Sequence, residues 1–361
     1  MSTLVQDFWN CVPAEILVHI FSYLPLKERL AALQVCQSWA EAVHTTSIWT
    51  FTEISCNAEE MDQECVVQRL HQFLCHIKHL KIVLEGSREA NRKHMTQILD
   101  MLIWQNNEVR ALSMVCQGRR PPYFFSDQDL QWSFSSLRGL RYLDLRQTSF
   151  TLGDETVLLI AACSPDLRAL LINSRLSPFY ILRAETIAEV LRMCPQLSAL
   201  GVQHATLSEE VFQELLKPSR GPFHFLDIFC EGLNDDIPEA LWSALIEKHP
   251  QLCVGLVFCF TVPYANISAT LKPNIPVTAL QFKYSYRLVG LIQLVTNHYS
   301  RTLERLDLNT SPSDDLNMSL MELARNCVRL KEIHCSCTVS QAVEEAFLLY
   351  CPGLIKYTLK T

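Results

Sequence analysis

The sequence predicts an α/β fold in which a small helical domain is followed by a curved parallel sheet with helices along its convex side. Two observations lead to this prediction. Three short amphipathic helical segments occupy the first fifty residues, and beyond them a strand-like apolar pattern recurs with helical periodicity between its copies. With 361 residues, of which 49% are hydrophobic, the chain can bury the continuous core that such an architecture needs.

The first helical segment lies within residues 12–24, which read VPAEILVHIFSYL. Pro13 suits the first helical turn, and the apolar residues after it recur at helical spacing on one face, namely Ile16, Leu17, Ile20, Phe21 and Leu24. A second short helix follows Pro25, and a third carries Trp39. Three helices of this length make a very small core, so the domain gains stability from resting on a partner.

In this stretch the sequence resembles the F-box family. Three ordered groups and a final tryptophan carry the resemblance: Val12-Pro13-x-Glu15-Ile16-Leu17, Ile20-Phe21-x-x-Leu24, Val35-Cys36-x-x-Trp39 and Trp49. Lys27-Glu28 departs from the family, in which an Asp-Leu or similar pair is frequent at that point. The resemblance implies a subunit that binds the Skp adaptor of a Skp-cullin-F-box ubiquitin ligase and, through the adaptor, a cullin.

The resemblance also implies which residues contact the adaptor or form the core directly beneath that contact. These residues are Pro13, Ile16, Leu17, Ile20, Phe21, Leu24, Leu26 and Trp39. The alternative is that they form only the core of the helical domain, and for Val35 and Trp39 the two alternatives have equal weight.

Beyond the helices, an apolar triplet at relative positions 1, 4 and 6 recurs eleven times, at intervals of 24 to 32 residues. This spacing is typical of the leucine-rich repeat, in which each unit contributes one strand and one helix. The triplets are Ile77/Leu80/Ile82, Val109/Leu112/Met114, Leu140/Leu143/Leu145, Leu167/Leu170/Ile172, Leu197/Leu200/Val202, Phe223/Leu226/Ile228, Leu252/Gly255/Val257, Val277/Leu280/Phe282, Leu303/Leu306/Leu308, Leu330/Ile333/Cys335 and Leu354/Tyr357/Leu359.

The segments between the triplets predict helices, among them 156–163, 188–194, 240–249 and 341–351. Four predicted helices end in a cysteine shortly before the next strand: Cys163, Cys194, Cys327 and Cys351. This placement resembles the cysteine-containing subtype of the repeat, in which a small side chain packs under the helix end. The predicted domains are an F-box at 8–50, a connecting segment at 51–64 and a leucine-rich-repeat horseshoe of about eleven repeats at 65–361.

Two features of the repeats depart from a regular solenoid. Gly255 stands at an anchor position in the seventh triplet, where the other units have an apolar side chain. The last triplet predicts an exposed edge strand, on which Lys356 and Lys360 discourage pairing with another edge.

If the anchors at positions 1, 4 and 6 point inward, positions 3, 5 and 7 face the concave surface of the sheet. The residues predicted to face it are Tyr142, Asp144 and Arg146, then Phe225, Asp227 and Phe229, then Arg305, Asp307 and Asn309. Aromatic and arginine side chains on a rigid sheet are typical of binding hot spots. We therefore hypothesise a substrate-binding face for protein segments of mixed apolar and basic character. The alternative is that these side chains are solvated or covered by neighbouring loops.

Charge and cysteine usage exclude several other classes of function. The net charge of -7 argues against a nucleic-acid or anionic-membrane partner, and no apolar run is long enough for a membrane span or signal peptide. The 15 cysteines include no CxxC pair and are expected to be reduced thiols. These features predict a cytoplasmic protein, with the nucleus as the alternative.

The sequence carries no motif of a catalytic site. Its ten glycines are too far apart for a phosphate-binding loop or a nucleophile elbow, and no HExxH occurs. The nearest metal-like groupings are Cys65, His71, Cys75, His76 and His79, and His334 with Cys335 and Cys337; strand alternation spreads both over different faces. We therefore expect a non-catalytic substrate receptor without a cofactor. A non-degradative F-box scaffold is the alternative, and a metal-dependent enzyme is a distant third.

Overall fold

A computed structural model describes residues 12–56, 69–85, 89–105, 108–117, 134, 136–148, 152–174, 182–232, 236–283 and 288–360. The chain divides into two compact units, Met1–Ile181 and Leu182–Thr361. Both units have the predicted α/β architecture, in which parallel strands alternate with helices. No helix in the described ranges is long and apolar enough to cross a membrane.

The first unit begins with four short helices: α1 (Ala14–Ser22), α2 (Leu26–Ala32), α3 (Gln37–Val43) and α4 (Thr46–Trp49). Its strands are β1 (Phe51–Cys56), β2 (His79–Glu85), β3 (Ala111–Gln117), β4 (Tyr142–Gln147) and β5 (Ala169–Leu171), and each pairs in parallel with the next. A 3₁₀ turn (Leu74–His76) precedes β2, and the longer helices are α5 (Glu89–Gln105) and α6 (Asp154–Cys163).

The second unit contains strands β6 (Ala199–Gln203), β7 (Phe225–Cys230), β8 (Cys253–Phe258), β9 (Val277–Phe282), β10 (Arg305–Leu308), β11 (Glu332–Thr338) and β12 (Lys356–Lys360). They pair in parallel in chain order. Its helices are α7 (Ala184–Met193), α8 (Glu209–Leu215), α9 (Glu239–Lys248), α10 (Tyr264–Thr270), α11 (Leu288–Tyr299), α12 (Asp314–Asn326) and α13 (Gln341–Tyr350), with a 3₁₀ turn at His204–Thr206.

The eleven predicted triplets coincide with β2 to β12, and the structure adds one strand that the pattern missed. This strand, β1, lies within the predicted connecting segment 51–64 and pairs with β2, so that Thr52 is opposite Leu80 and Ile54 is opposite Ile82. Thr52 is fully buried and its hydroxyl donates to the Trp49 carbonyl at 2.8 Å. A polar residue at the inward position interrupts the apolar triplet, although its hydrogen bond makes burial inexpensive.

The predicted anchor at Gly255 is wrong by one residue. In the pairing of β7 with β8, Leu226 is opposite Val254 and Ile228 is opposite Leu256, so these two β8 residues are the anchors. Gly255 is opposite Asp227 instead, on the other face of the sheet. The triplet pattern assigned the wrong anchors because Leu252 and Val257 are also buried. These two residues give the segment a second apolar spacing that fits the same pattern.

The predicted helices are confirmed at α6, α7, α9 and α13. The cysteine that ends α13 packs as the subtype implies, because the Cys351 thiol lies 3.6 Å from the carbonyl oxygens of Ala324 and Cys327, near the end of α12. Burial raises the pKa of Cys351 to about 11 and that of Cys327 to about 12, so these thiols stay protonated.

A buried arginine joins the helical domain to the first strand. The Arg29 guanidinium donates to the carbonyl oxygens of Leu24 at 2.8 Å, Ser22 at 2.8 Å and Ile48 at 2.7 Å. It also reaches the carbonyl of Phe51, the first residue of β1, at 3.3 Å. These carbonyls lie at or near the ends of helices, where the backbone has no partner of its own. Burial lowers the pKa of Arg29.

The indole of Trp49 lies beside this arginine, with the guanidinium carbon 5.8 Å from its ring centre. The Trp49 Nε1–H donates to the Val43 carbonyl at 2.7 Å, and the ring stacks on Phe73 with centres 4.0 Å apart. Trp49 and Phe73 are almost fully buried. The core of the helical domain therefore continues into the residues that precede β2.

Arg29→Met should destabilise the protein by about 3 kcal/mol, because it removes the donors from one buried and three part-buried carbonyl groups. Arg29→Lys should recover only part of this loss, since one ammonium cannot reach carbonyls on several sides. Lys27→Met, at an exposed position of the same helix, is the matched control and should be near neutral. Chemical denaturation followed by circular dichroism measures the difference. Equal stability of Arg29→Met and wild type would contradict this role.

Gly255→Ala should destabilise the protein by about 1–3 kcal/mol, because the added Cβ would lie 2.6 Å from Oδ1 of the buried Asp227. In an Asp227→Ala background the same change should cost much less, since the crowding oxygen is gone. Gly221→Ala is the control, because its added Cβ meets no atom within 4 Å. Additive effects of the two changes in a double-mutant cycle would rule out the close contact.

Candidate protein-binding surfaces

Helix α1 has apolar residues on two faces, and only one of them is buried. Leu17 and Phe21 are 0% and 2% exposed, whereas Ile16 and Ile20 are 50% and 38% exposed. Pro13, directly before the helix, is exposed as well. With Tyr23, which is 77% exposed, these residues follow spacings of three, four and three. Pro13, Ile16, Ile20 and Tyr23 are called the α1 stripe below.

The buried face of α1 fixes the position of this stripe. The Phe21 and Trp39 rings are 5.0 Å apart in an edge-to-face arrangement, which packs α1 against α3. The Pro13 carbonyl starts the helix by accepting from the amides of Ile16 at 3.0 Å and Leu17 at 3.2 Å. The exposed isoleucines therefore lie on a helix that is anchored from its other side.

The eight predicted adaptor residues divide according to their exposure. Pro13, Ile16 and Ile20 are exposed, and Leu24, Leu26 and Trp39 are half-buried. Leu17 and Phe21 lie in the core, where they support the surface and cannot contact a partner directly. Tyr23 is absent from the predicted set, although its distance of three residues from Ile20 is the helical spacing that places it on the same stripe.

The face of each sheet that carries positions 3, 5 and 7 is called the open face. In the first unit, it presents Tyr142, Asp144 and Arg146 as one hydrogen-bonded group on β4. The Arg146 guanidinium donates to both Asp144 carboxylate oxygens, at 3.0 and 2.7 Å, and the Tyr142 hydroxyl donates to the same carboxylate at 3.1 Å. All three side chains are half-buried.

This group is electrostatically paired within the strand. Burial raises the pKa of the Asp144 carboxyl, but the hydrogen bonds and charge of Arg146 outweigh that effect and hold the pKa below its ordinary value. Burial and the neighbouring Asp144 charge raise the pKa of Tyr142. At neutral pH the group is therefore an ionised Asp–Arg pair with a neutral phenol. A partner that binds here meets a preformed polar surface with no net charge.

The second predicted group, on β7, is less accessible than the sequence suggested. Phe225 is half-buried, but Asp227 and Phe229 are each 2% exposed, so the prediction that these two offer contact surface is wrong. The Lys283 ammonium lies 4.9 Å from the centre of the Phe229 ring and helps to cover it. Asp227 lies against Gly255 on the neighbouring strand.

The third group lies on β10 and is the most exposed of the three. Arg305 donates to the Glu332 carboxylate on β11 at 2.7 Å, yet half of its side chain remains exposed. This hydrogen bond lowers the pKa of Glu332, with help from the charge of Lys356. Asp307 is half-buried, and Asn309 is exposed and accepts from the Ser336 hydroxyl at 2.7 Å. Cross-strand polar pairs therefore cover this part of the open face.

The metal-like groupings of the sequence are not assembled in the part of the chain that the structure describes. Cys65 lies outside that part, and no three His, Cys, Asp or Glu side chains within it are placed to hold a metal ion. Cys335 and Cys337 lie on the buried side of β11 with their sulfurs 3.4 Å apart. His334 contacts the Thr358 hydroxyl on the open face, at 3.0 Å.

Comparisons with known proteins agree with an F-box at the start of the chain and leucine-rich repeats after it. The F-box-like family model matches residues 9–52. Human F-box/LRR-repeat protein 8 is 36% identical over 357 residues, covering 97% of this chain and 94% of its own length, and the cattle protein is 35% identical over the same span. Mouse F-box/LRR-repeat protein 21 is 23% identical and covers 95% of this chain and 80% of its own length. The chain therefore belongs to the family of F-box proteins with leucine-rich repeats.

Proposed function

We propose that the chain is the substrate-recognition subunit of a Skp-cullin-F-box ubiquitin ligase and has no catalytic site of its own. In this role the F-box binds the Skp adaptor, which connects it to a cullin, and the repeats hold a protein substrate for ubiquitination and degradation. The α1 stripe is the single observation that carries the proposal, because it is an apolar surface exposed on the domain that matches the F-box model.

The α1 stripe has the chemistry of a protein-binding surface. Two exposed isoleucines, four residues apart, project from one side of the helix. Burial of their side chains against a partner would contribute about 25 cal/mol of binding free energy per Å² of apolar surface. Leu24, Leu26 and Trp39 are half-buried and would support or extend the contact. The surface offers few groups for chemistry, which favours docking over catalysis.

For the substrate, we propose the open faces of the two units. The exposed or half-exposed members of the predicted set are Tyr142, Asp144 and Arg146 in the first unit and Phe225, Arg305 and Asp307 in the second. Aromatic rings and arginines are enriched in hot spots, and the polar group around Asp144 offers preformed hydrogen-bonding atoms to a substrate. We assign the activity to the cytoplasm, with the nucleus as the alternative compartment.

The double variant Ile16→Asp/Ile20→Asp should lose capture of the Skp adaptor and cullin, by at least about tenfold in affinity, because it places two charges in an apolar contact. Both positions are already exposed, so the thermal midpoint should stay close to that of wild type. Co-purification with recombinant adaptor and cullin measures capture. Met318→Asp, which changes an exposed apolar residue of α12, is the matched control and should capture normally.

Leu17→Ala separates folding from binding in the same experiment. Because Leu17 is fully buried, this change should lower the free energy of unfolding by about 2–5 kcal/mol. Normal capture by the folded Ile16→Asp/Ile20→Asp protein, or a failure of folded wild type to capture the adaptor, would refute the ligase role. The scaffold function is favoured instead if wild type captures the adaptor and cullin but does not shorten the half-lives of the proteins that its repeats bind. Those half-lives would then be the same in cells that carry wild type and in cells that carry the double variant.

A further inference from the structure

The last strand of the second unit has one hydrogen-bonding edge without a described partner. β12 pairs with β11 on one side, with Tyr357 opposite Ile333 and Thr358 opposite His334, and no strand in the described part of the chain lies on its other side. The Lys356 amide and the Lys360 carbonyl bond toward β11. Alternate residues of a strand bond in opposite directions, so the backbone groups of Tyr357 and Leu359 point to the open edge.

Apolar side chains are exposed at this edge. Tyr357 occupies an inward anchor position, but it is 43% exposed, whereas Ile333 beside it is fully buried. Ile355, just before the strand, is 83% exposed, and Leu349 in α13 is 71% exposed. Exposed apolar side chains that lie together are typical of interaction sites. The exposed anchor therefore has the character of a surface that another segment can cover.

The charges on β12 decide which kind of segment fits. Lys356 and Lys360 are both exposed, and they alternate with the inward-facing Tyr357 and Leu359, so they lie on the open face. An antiparallel second copy centred on Thr358 would place each of these lysines opposite the other lysine of the copy, and like charges in direct opposition are destabilising. The edge is thus protected against pairing with itself and suited to carboxylates.

A groove lies on the open face between Lys360 and the neighbouring strands β9 to β11. Its volume is about 540 Å³, and its lining includes His334, Ser336, Thr358 and Lys360. The lining carries two cations, Lys283 and Lys360, and one carboxylate, Asp307. An acidic side chain on an added strand would approach Lys360 across the open face, from the edge of β12 opposite this groove.

We propose that the open edge of β12 binds an extended segment of a partner protein, by strand addition, in which acidic residues four apart flank two apolar residues. The acidic side chains pair with Lys356 and Lys360 on the open face, and the apolar side chains cover Tyr357 on the other face. Main-chain hydrogen bonds to Tyr357 and Leu359 supply affinity, and the alternating pattern supplies specificity. This inference concerns the repeats alone and does not depend on the ligase role.

A fluorescent peptide that contains Glu-Val-Thr-Ile-Glu, titrated against the full chain, tests the proposal directly. It should bind at least about tenfold more tightly than the matched Lys-Val-Thr-Ile-Lys peptide, a difference of about 1.4 kcal/mol. Amide hydrogen exchange should show new protection at Tyr357 and Leu359. A peptide with N-methylated valine, threonine and isoleucine should bind more weakly in either strand orientation, because it cannot donate main-chain hydrogen bonds to β12.

A charge exchange controls for loss of fold. The double variant Lys356→Glu/Lys360→Glu should reverse the preference and bind the lysine peptide about tenfold more tightly than the glutamate peptide. An unchanged thermal midpoint of the double variant shows that its fold is intact. The proposal is overturned if wild type binds neither peptide, if it binds both equally, if the exchange leaves the preference unchanged, or if sedimentation shows that a second copy already covers β12.

Discussion

The stacking of each repeat on its neighbour is the constraint on which the rest of the structure depends. An inward anchor such as Leu226 is buried because the strands on both sides of β7 carry an anchor at the same level. A strand at the end of an array lacks one of these neighbours. At β1, the helical domain takes the place of the missing neighbour. Trp49 stacks on Phe73, and the Arg29 guanidinium donates to the carbonyl of Phe51.

Most of the fold could be predicted because burial imposes one spacing on every repeat. The triplets located β2 to β12, since leucine and isoleucine at positions 4 and 6 reflect the same core in each unit. The pattern failed where chemistry or packing departs from that rule. Thr52 is buried through a hydrogen bond and was therefore missed, and around Gly255 a second set of buried residues shifted the apparent anchors by one.

The binding surfaces were less predictable than the fold, because spacing gives the direction of a side chain but not what lies above it. Phe229 faces the predicted side of β7, but its neighbours and Lys283 cover it. On α1 the difficulty is reversed, since Leu17 and Ile16 are equally apolar in sequence and only packing shows that one is core and the other is surface. The family resemblance identified the correct helix, and the structure separated its two faces.

The contacts of Arg29 and Trp49 also bear on the order in which the protein can fold during synthesis. The helical domain could be expected to form as soon as its last helix has left the ribosome. However, its arginine binds the carbonyl of Phe51, and its tryptophan stacks on Phe73. The helices at the start of the chain must therefore wait until more than twenty further residues have been translated before their core is complete. Until then, the face of the Trp49 ring that Phe73 covers in the folded protein lacks this contact.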